Sequence, residues 1–429
     1  MKSSRELSRD SVTIGLVGCG GMGVRHLHAY ATLDRVGARR LELAAVCDPR
    51  REAAEHAATV AEDQLGSRPA VFTDHAELIA SGAVEALDVV TDPAVHHLVA
   101  APALDEGLHV ICEKPLGITV RACRVIVDAA ERSGAVLATA ENYRRDPANR
   151  LARAVIEQGL LGELHLMIQT NVGGDNAVIV SPWRHVREAG AIALDMGVHY
   201  ADILAYYLGD LERVTGTTFV AEPLRTFAPG AAGAAGIGEV HPGVMRATGE
   251  DSLVALYESA SGVHVQLAYI PSGPGRIWFQ RTVHGRGGSM SVPQDRSGGP
   301  VVVQLGDRVL SGAELRRALG GFELEGTTGL LFGREGTEYD LPFADVDAAT
   351  IGIELDDFAT AVLERRAPEL DGIGGLLAVA AVWAVTESRQ TGESVRVADV
   401  ADGTVSAAQD RLDEHLGLRS ETSGEVVRA

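Results

Sequence analysis

Residues 17–23 read Val-Gly-Cys-Gly-Gly-Met-Gly and place Gly18, Gly20 and Gly23 in a G-x-G-x-x-G pattern. The pattern directly follows an apolar, β-rich run at Val12–Val17 and opens a helix-like stretch, which is the context that such a turn requires. One glycine permits the tight turn, one lets the backbone approach a pyrophosphate, and one lets helix and strand pack closely. The helix N-terminus then offers N–H groups to the phosphates. We therefore expect a dinucleotide to contact Gly18, Gly20, Gly21, Met22 and Gly23.

An acidic residue, Asp48, ends the second apolar run at Leu41–Cys47. A carboxylate at the end of this strand accepts hydrogen bonds from the adenosine ribose hydroxyls and repels a 2′-phosphate, so NAD is favoured over NADP. Arg50 and Arg51 lie close enough to soften that preference. The alternative is an ordinary turn residue before Pro49.

Short apolar runs and helix-like stretches alternate over the first 140 residues. Strands are predicted at 12–17, 41–47, 86–90, 109–112 and 136–139, and helices at 22–32, 51–65, 96–106 and 119–133. This alternation predicts a parallel sheet covered on both faces, a doubly wound α/β domain. We expect an NAD-binding Rossmann domain at residues 1–141.

The later sequence has the pattern of an α+β domain with a largely antiparallel sheet. Strands are predicted at 164–172, 214–220, 253–258, 263–270 and 281–284, and helices at 192–207, 348–365 and 374–391. We expect a substrate-binding and oligomerisation domain at residues 142–400, with its final helix able to pack back on the first domain. Residues 223–249 are rich in Gly, Ala and Pro and are interpreted as an insertion near the pocket. A polar tail at 401–429 is expected to be loosely docked.

Composition excludes several classes of protein. The net charge of −21 argues against a nucleic-acid partner and against an anionic membrane surface. The four cysteines have neither disulfide-like nor metal-like spacing, so no metal site is predicted and a reducing cytoplasm fits. The polar N-terminus lacks a secretory signal pattern, and no apolar run is long enough to span a membrane.

Lys114 is one of only two lysines in a chain that otherwise uses arginine, which suggests that an ammonium is needed there. It follows Glu113 at the end of the predicted strand 109–112, at the sheet edge where ligands bind. A lysine there can polarise a substrate oxygen and stabilise a developing alkoxide. The alternative is a loop lysine in a surface ion pair with Glu113.

Asp195 and His199 are spaced i, i+4 on a predicted helix, which places them on one face. Asp195 could orient the His199 ring, and His199 could take the proton of a substrate hydroxyl near neutral pH. The alternative is an ordinary helix surface pair.

These residues together resemble the Gfo/Idh/MocA oxidoreductase family, which includes glucose–fructose oxidoreductase and inositol dehydrogenase. The matching motifs occur in order along most of the chain: Gly18-x-Gly20-x-x-Gly23, Thr91-Asp92-Pro93 with His96, Glu113-Lys114-Pro115, Asn142-Tyr143-Arg144-Arg145, Trp183-Arg184, Asp195-x-x-x-His199 and Ser388-Arg-Gln-Thr391-Gly392. Two departures are an Asp92 inserted between Thr91 and Pro93, and Ala191 and Ala193 beside Gly190 where relatives often have further glycines.

The resemblance implies a cofactor held between the two domains and a polyol lying over the nicotinamide. It implies catalytic roles for Lys114, Asp195 and His199. The cofactor is bordered by Thr91, His96, Glu113 and Lys114, and the sugar pocket is shaped by Tyr143, Arg144, Trp183 and Arg184. It also implies a homodimer or homotetramer that assembles through the C-terminal sheet.

Three functions are compatible with the sequence. The first is an NAD-dependent dehydrogenase of a sugar, anhydrosugar or cyclitol. The second is a redox glycosidase that oxidises a sugar hydroxyl, eliminates the aglycone, adds water and reduces again. The third is a non-catalytic NAD-binding sensor, although a sensor has no need for a proton relay. A sugar acid held by Arg144 or Arg184 remains open as a substrate.

Overall fold

The computed structural model describes residues 11–227, 240–241, 243–273 and 275–419. In this part of the chain, no helix is long and apolar enough to cross a membrane.

Six strands of the N-terminal half form one parallel sheet. They are β1 (Val12–Val17), β2 (Leu41–Cys47), β3 (Ala70–Phe72), β4 (Ala86–Val89), β5 (His109–Glu113) and β6 (Leu137–Ala140). The alternating helices are α1 (Gly21–Arg35), α2 (Arg51–Leu65), α3 (His75–Ala80), α4 (His96–Asp105) and α5 (Val120–Ser133). In the strand order β3-β2-β1-β4-β5-β6, successive strands are added on one side of β1 up to β3 and on its other side from β4 onward. Ligands bind at the carboxyl ends of the strands beside this change, between β1 and β4. The predicted doubly wound Rossmann fold is confirmed.

Local sequence signals set the ends of these helices. The Thr119 hydroxyl accepts the N–H of Ala122 at 3.1 Å and caps α5. Helices α2 and α5 end at Gly66 and Gly134, whose φ angles of 74° and 71° favour glycine. The sequence analysis missed β3 and α3, which are too short to show a periodic pattern.

A second, nine-stranded sheet dominates the C-terminal half, with the order β17-β16-β15-β14-β7-β13-β12-β8-β18. The strands of this half are β7 (Leu164–Val172), β8 (Leu211–Phe219), β9 (Leu224–Thr226), β10 (Val240–His241), β11 (Val244–Arg246), β12 (Ser252–Ser259), β13 (His264–Ile270), β14 (Trp278–Gly285), β15 (Gly288–Val292), β16 (Val302–Leu305), β17 (Arg308–Leu310) and β18 (Val395–Arg396). Every neighbouring pair in the nine-stranded sheet is antiparallel except β7 and β13. The predicted large, mostly antiparallel sheet is confirmed.

Helices cover one face of this sheet. The helices of the C-terminal half are α6 (Pro147–Glu157), α7 (Ala191–Leu208), α8 (Gly312–Ala318), α9 (Gly326–Phe332), α10 (Phe343–Glu364), α11 (Gly372–Thr391), α12 (Val397–Ala401) and α13 (Asp410–His415). Helices α7 and α11 pack side by side on the strands, whereas Leu256 and Trp278 are exposed on β12 and β14. Part of the sheet therefore presents apolar side chains outward.

The insertion at 223–249 contains three short strands, β9, β10 and β11, which form a small antiparallel sheet. Arg225 and Asp251 form a fully buried ion pair that holds the base of this sheet. Residues 228–239 and 242 lie outside the described residues.

Helix α10 returns to the first domain and packs along α1. Its residues Ile351, Leu355 and Phe358 share one apolar core with Ile14 of β1 and Leu27 of α1. The outer layer of the N-terminal sheet is thus completed by a helix from the last third of the chain.

The segment after Ala401 was expected to be loosely docked, and for its described residues this expectation is wrong. The Gln409 side chain accepts the N–H of Val120 at 2.7 Å, and the buried Asp413 carboxylate pairs with Arg121 at 3.1 Å. These contacts fix α13 against the start of α5. The amphipathic pattern of six residues was too short to predict this docking.

Candidate active site

The glycine-rich turn after β1 has the geometry that its pattern predicts. Gly18 has a φ of 104°, and a Cβ there would lie 2.7 Å from the Val90 carbonyl oxygen. A Cβ on Gly23 would lie 2.2 Å from the Gly18 carbonyl oxygen. Both positions therefore require glycine, one for the turn and one for the close packing of helix on strand.

The space in front of the turn fits a dinucleotide. A Cβ on Gly20 or Gly21 would meet no atom within 4 Å, and α1 begins at Gly21 without a side-chain cap on its first N–H groups. The Asp48 carboxylate, at the end of β2, accepts the N–H of Cys19 at 3.0 Å and that of Arg50 at 2.9 Å. Asp48 is thereby tied to the turn, where the sequence places the adenosine ribose.

The chemical groups meet at the carboxyl ends of β5 and β6. The Lys114 ammonium donates to Asp195 Oδ1 at 2.8 Å and to the Asp195 carbonyl oxygen at 3.1 Å. Arg184, in the turn Pro182–His185, donates from Nε to Asp195 Oδ2 at 2.8 Å and lies 4.2 Å from the Trp183 ring centroid. One buried carboxylate thus orients two cations.

The predicted contact between Asp195 and His199 is wrong. Both Asp195 oxygens are occupied by Lys114 and Arg184. Burial alone would raise the pKa of Asp195, but these two cations outweigh burial and hold that pKa well below its usual range. Asp195 therefore stays ionised and positions Lys114 and Arg184, and it does not orient the imidazole.

The partner of His199 is Glu141, a residue that the sequence analysis missed. His199 Nδ1 lies 2.7 Å and 2.8 Å from the two carboxylate oxygens of Glu141. The Tyr143 ring stacks on the imidazole at 4.0 Å between centroids and 6° between planes. Glu141 directly follows β6, and an acidic residue at the carboxyl end of a parallel strand was the signal that could have identified it.

Behind Lys114 lies a buried cluster of charged groups. The His26 ring joins Asp88, at 2.8 Å from Nδ1, to Glu113, at 3.3 Å from Nε2. Glu113 Oε2 accepts the backbone N–H of Lys114 at 2.9 Å. Glu354 of α10 completes the cluster, and its buried Oε2 has no hydrogen-bond partner among the described residues. Glu113, predicted to border the cofactor, therefore supports the Lys114 backbone from behind.

His96 also acts within the protein. Its ring nitrogens lie 3.0 Å from the Pro115 carbonyl oxygen and 3.2 Å from the Thr91 carbonyl oxygen, and its side chain is fully buried. It ties the turn after β4 to the loop that carries Lys114. These contacts occupy both ring nitrogens, so they do not support the predicted contact of His96 with the cofactor. The Thr91 hydroxyl is 3.4 Å from the Asp92 carbonyl oxygen and is only partly buried.

Arg144 was predicted to shape the sugar pocket, and its surroundings contradict that role. Its guanidinium forms a two-pronged ion pair with Asp202 and donates to the Glu369 carbonyl oxygen at 3.3 Å. The side chain is buried. An arginine held in this way joins α7 to the segment before α11 and has no free face for a substrate. Arg184, by contrast, contacts Asp195 and lies over the Trp183 ring, and the pocket role of these two residues stays a prediction.

Two family models match the chain. Residues 12–141 match the model described as an oxidoreductase family with an NAD-binding Rossmann fold, and residues 149–291 match the GFO/IDH/MocA C-terminal domain.

Curated relatives include levoglucosan dehydrogenase of Pseudarthrobacter phenanthrenivorans, which is 29% identical over 298 residues, 67% of this chain and 74% of that protein. Inositol 2-dehydrogenase 2 of Saccharopolyspora erythraea is 33% identical over 48% of this chain and 56% of its own length. Alpha-N-acetylgalactosaminidase of Shewanella oneidensis is 29% identical over 36% of this chain and 33% of its own length. The match thus spans three quarters of the first relative and about half or less of the other two.

Solved structures share the fold. A levoglucosan dehydrogenase in complex with NADH has a TM-score of 0.72 and 22% identity, covering 90% of this chain and 99% of that one. An NAD-binding oxidoreductase from Klebsiella pneumoniae has a TM-score of 0.73 and 23% identity over the same shares of the two chains. With both domain models matched in order, and with the glycine turn and the Glu113-Lys114-Pro115 segment in place, this chain belongs to the Gfo/Idh/MocA family of NAD-binding oxidoreductases.

Proposed function

We propose that this protein is an NAD-dependent dehydrogenase that transfers a hydride between nicotinamide and a hydroxyl or keto carbon of a sugar, anhydrosugar or cyclitol. The observation that carries the proposal is the meeting of the Lys114 ammonium and the His199 imidazole at the carboxyl edge of the cofactor sheet, each held by its own carboxylate. The relatives named for levoglucosan and inositol dehydrogenase activity support the substrate class.

Lys114 and His199 have separate roles at the reacting oxygen of the substrate. Lys114, aimed by Asp195, donates a hydrogen bond to the substrate oxygen and stabilises the negative charge that develops there. His199 Nε2 takes the hydroxyl proton, because Nδ1 is held by Glu141. The bound dinucleotide supplies the hydride acceptor. Asp195, His199 and Glu141 are buried and Lys114 is partly buried, which limits access of water and strengthens these interactions.

The charges favour an uncharged substrate over a sugar acid. The carboxylates of Asp195 and Glu141 together offset the charges of Lys114 and Arg184, while Arg144 is paired with Asp202. No cation of this group is left uncompensated for a substrate carboxylate. We expect kcat/KM for a neutral polyol to exceed that for the matching uronic or aldonic acid by more than tenfold.

Formation of NADH, followed by absorbance, tests the function. Purified protein is given NAD and a panel that begins with levoglucosan, inositols and apiose and continues with common hexoses, their acids and aryl glycosides. We expect substrate-dependent NADH from at least one neutral polyol, and its loss in Lys114→Ala and in His199→Ala. An inert panel, despite tight NAD binding, would contradict the proposal and favour an NAD sensor.

The second candidate is a redox glycosidase, because the chain is also similar to an alpha-N-acetylgalactosaminidase. That similarity covers 36% of the chain, against 67% for levoglucosan dehydrogenase. Release of nitrophenol from aryl glycosides without net NADH would identify this activity. The same panel therefore separates the two enzymes.

We also propose that the protein assembles as a homodimer or homotetramer through the outer face of the large sheet, in the cytoplasm. Exposed Leu256 and Trp278 on that face support the assembly. The location is supported by the four free cysteines, which are all buried and fit a reducing compartment. Light scattering of Leu256→Asp, compared with the unaltered protein, tests the interface; an unchanged mass would contradict it. Cell fractionation tests the location.

A further inference from the structure

Glu141 fixes the imidazole of His199 in one orientation. Its Oε1 accepts the Tyr143 backbone N–H at 2.9 Å, so the carboxylate is anchored to the turn that carries the stacking Tyr143 ring. The carboxylate oxygens face Nδ1 of His199. With one ring face covered by Tyr143 and Nδ1 directed at Glu141, Nε2 points away from the carboxylate, and it makes no hydrogen bond to the described residues.

We propose that Glu141 is the positioning residue that makes His199 a base, by accepting Nδ1–H and so leaving a lone pair on Nε2. This inference rests on the dehydrogenase function proposed above. During alcohol oxidation the O–H proton moves to Nε2, the C–H hydride goes to the oxidised dinucleotide, and the carbon becomes a carbonyl. The resulting imidazolium is stabilised by the Glu141 carboxylate, which keeps its negative charge.

The opposite proton arrangement is inactive. If the Glu141 carboxyl is protonated, it donates to Nδ1, and the neutral ring then carries its proton on Nε2. Nε2–H cannot accept the substrate proton. The active dyad therefore holds one proton and the inactive dyad two, so uptake of the second proton decides whether His199 can act.

Charges on the surrounding elements set the pH at which the change occurs. Burial raises the pKa of Glu141 to about 7, while Lys114 and Arg144 oppose this rise and Glu113 adds to it. Burial, followed by Lys114, lowers the pKa of His199 well below its ordinary value. The other groups that act on His199 are Asp195, Arg296 and Glu113. Oxidation should therefore fail as the pH falls through about 7, when Glu141 takes up its proton.

The test compares Glu141→Gln with Glu387→Gln. Glu387 on α11 is also a buried carboxylate, and its Oε1 accepts the N–H of Ala408, so its variant controls for loss of a buried charge. We expect Glu141→Gln to lower kcat by about 100- to 1,000-fold and to remove the acid limb of the kcat/KM profile, with NAD affinity unchanged. Glu387→Gln should keep the kcat and the acid limb of the unaltered protein. Glu141→Asp should recover part of kcat. A Glu141→Gln enzyme with kcat within threefold and the same pH profile overturns the proposal.

A second readout does not depend on turnover. Nitrogen NMR of protein labelled with ¹⁵N-histidine distinguishes Nδ1–H from Nε2–H, and the His199→Gln variant identifies the His199 signals. We expect Nδ1–H at pH 8 in the NAD-bound protein and its loss in Glu141→Gln. This pattern without any polyol oxidation would refute the proposed function and retain the role of Glu141. A ring with Nε2–H at pH 8 would refute the role of Glu141 itself, and if Glu141→Gln fails to fold, Glu141→Asp and the unaltered protein still give the tautomer.

Discussion

The ammonium of Lys114 and the carboxylate of Asp195 form an ion pair, with 2.8 Å between Nζ and Oδ1, that links the end of β5 to α7. The pair connects the cofactor sheet to the helix that carries His199. Its two members lie 81 positions apart in the chain, so the site exists only when the two domains are docked.

Removal of the Lys114 ammonium should reduce catalysis and leave the fold intact. In Lys114→Ala, Asp195 keeps its ion pair with Arg184, so no buried charge is left alone. We expect kcat/KM to fall by about 100- to 1,000-fold, the usual loss for one donor to a developing oxyanion. Steady-state NADH formation and NAD titration check this. Arg286→Ala, which removes a solvent-exposed ion pair with Glu163, is the control, and a loss below fivefold in Lys114→Ala would argue against its role.

Replacement of Asp48 should change the cofactor preference. Asp48→Ser removes the carboxylate that repels a 2′-phosphate and frees the Arg50 side chain, which now donates to Asp48 at 3.3 Å. We expect kcat/KM to fall about tenfold with NAD and to rise about tenfold with NADP, each close to 1.4 kcal/mol. Asp63→Ser, at an exposed position of α2, should leave the ratio unchanged. An unaltered ratio in Asp48→Ser would place the ribose elsewhere.

Loss of Arg144 should lower stability, whereas loss of Arg184 should weaken substrate binding. Arg144→Ala leaves the buried Asp202 without its partner, and we expect the free energy of unfolding to fall by about 3 kcal/mol. Arg184→Ala should raise the KM for the polyol with a much smaller loss of stability, because Asp195 keeps Lys114. Denaturant titration and Michaelis kinetics of both variants measure these effects. If Arg144→Ala instead raises KM at normal stability, Arg144 contacts substrate after all.

Glu354→Gln should stabilise the protein, more so at alkaline pH. Burial, together with the nearby Glu113, raises the pKa of Glu354 well above its ordinary value. The folded protein then holds a proton that the unfolded chain releases, so stability falls as the pH rises above the unfolded pKa. An amide escapes this loss, and we expect a gain of about 1 to 3 kcal/mol at pH 8 and little at pH 4.

Thermal unfolding of Glu354→Gln across this pH range gives the measurement. Glu364→Gln, at an exposed position on the same helix, is the control and should show no such slope. If Glu354→Gln changes the unfolding temperature equally at pH 4 and pH 8, Glu354 is ionised at both pH values and the argument is wrong.

Ala191→Gly should stabilise the start of α7. Ala191 has a φ of 59°, a left-handed conformation that costs a residue with a Cβ about 1 kcal/mol and costs glycine little. We expect a gain of about 0.5 to 1 kcal/mol, less than the full strain because the buried methyl group is lost. Ala193→Gly, two residues further into the helix, should destabilise by a similar amount. Denaturant titration of both variants compares them, and equal losses would contradict the strain argument.

Much of the fold could be predicted from the sequence because its signals are local. The strands Val12–Val17 and Leu41–Cys47 and the helix Arg51–Leu65 lie where the apolar pattern places them. The pattern failed for the strand Ala70–Phe72 and the helix His75–Ala80, because elements of three and six residues are too short to show a repeating arrangement of apolar side chains. The glycine turn was predictable because steric limits at Gly18 and Gly23 leave no other residue type.

The identities of the site residues were easier to predict than their partners. The i, i+4 spacing correctly puts Asp195 and His199 on one helix, but their partners come from β5 and from the end of β6. Helical spacing contains no information about groups 58 or 81 positions away. The same reason explains Arg144, whose partner Asp202 lies on a different element.

The packing of α10 against α1 has a consequence for how the chain is made. Ile351, Leu355 and Phe358 supply part of the core around β1, so this core stays incomplete until α10 has been translated, which happens after strands β7 to β17. The first domain must wait, with the apolar face of α1 open, until α10 has left the exit tunnel. A ribosome that stalls before this helix would release a nascent chain that chaperones and proteases recognise as unfinished.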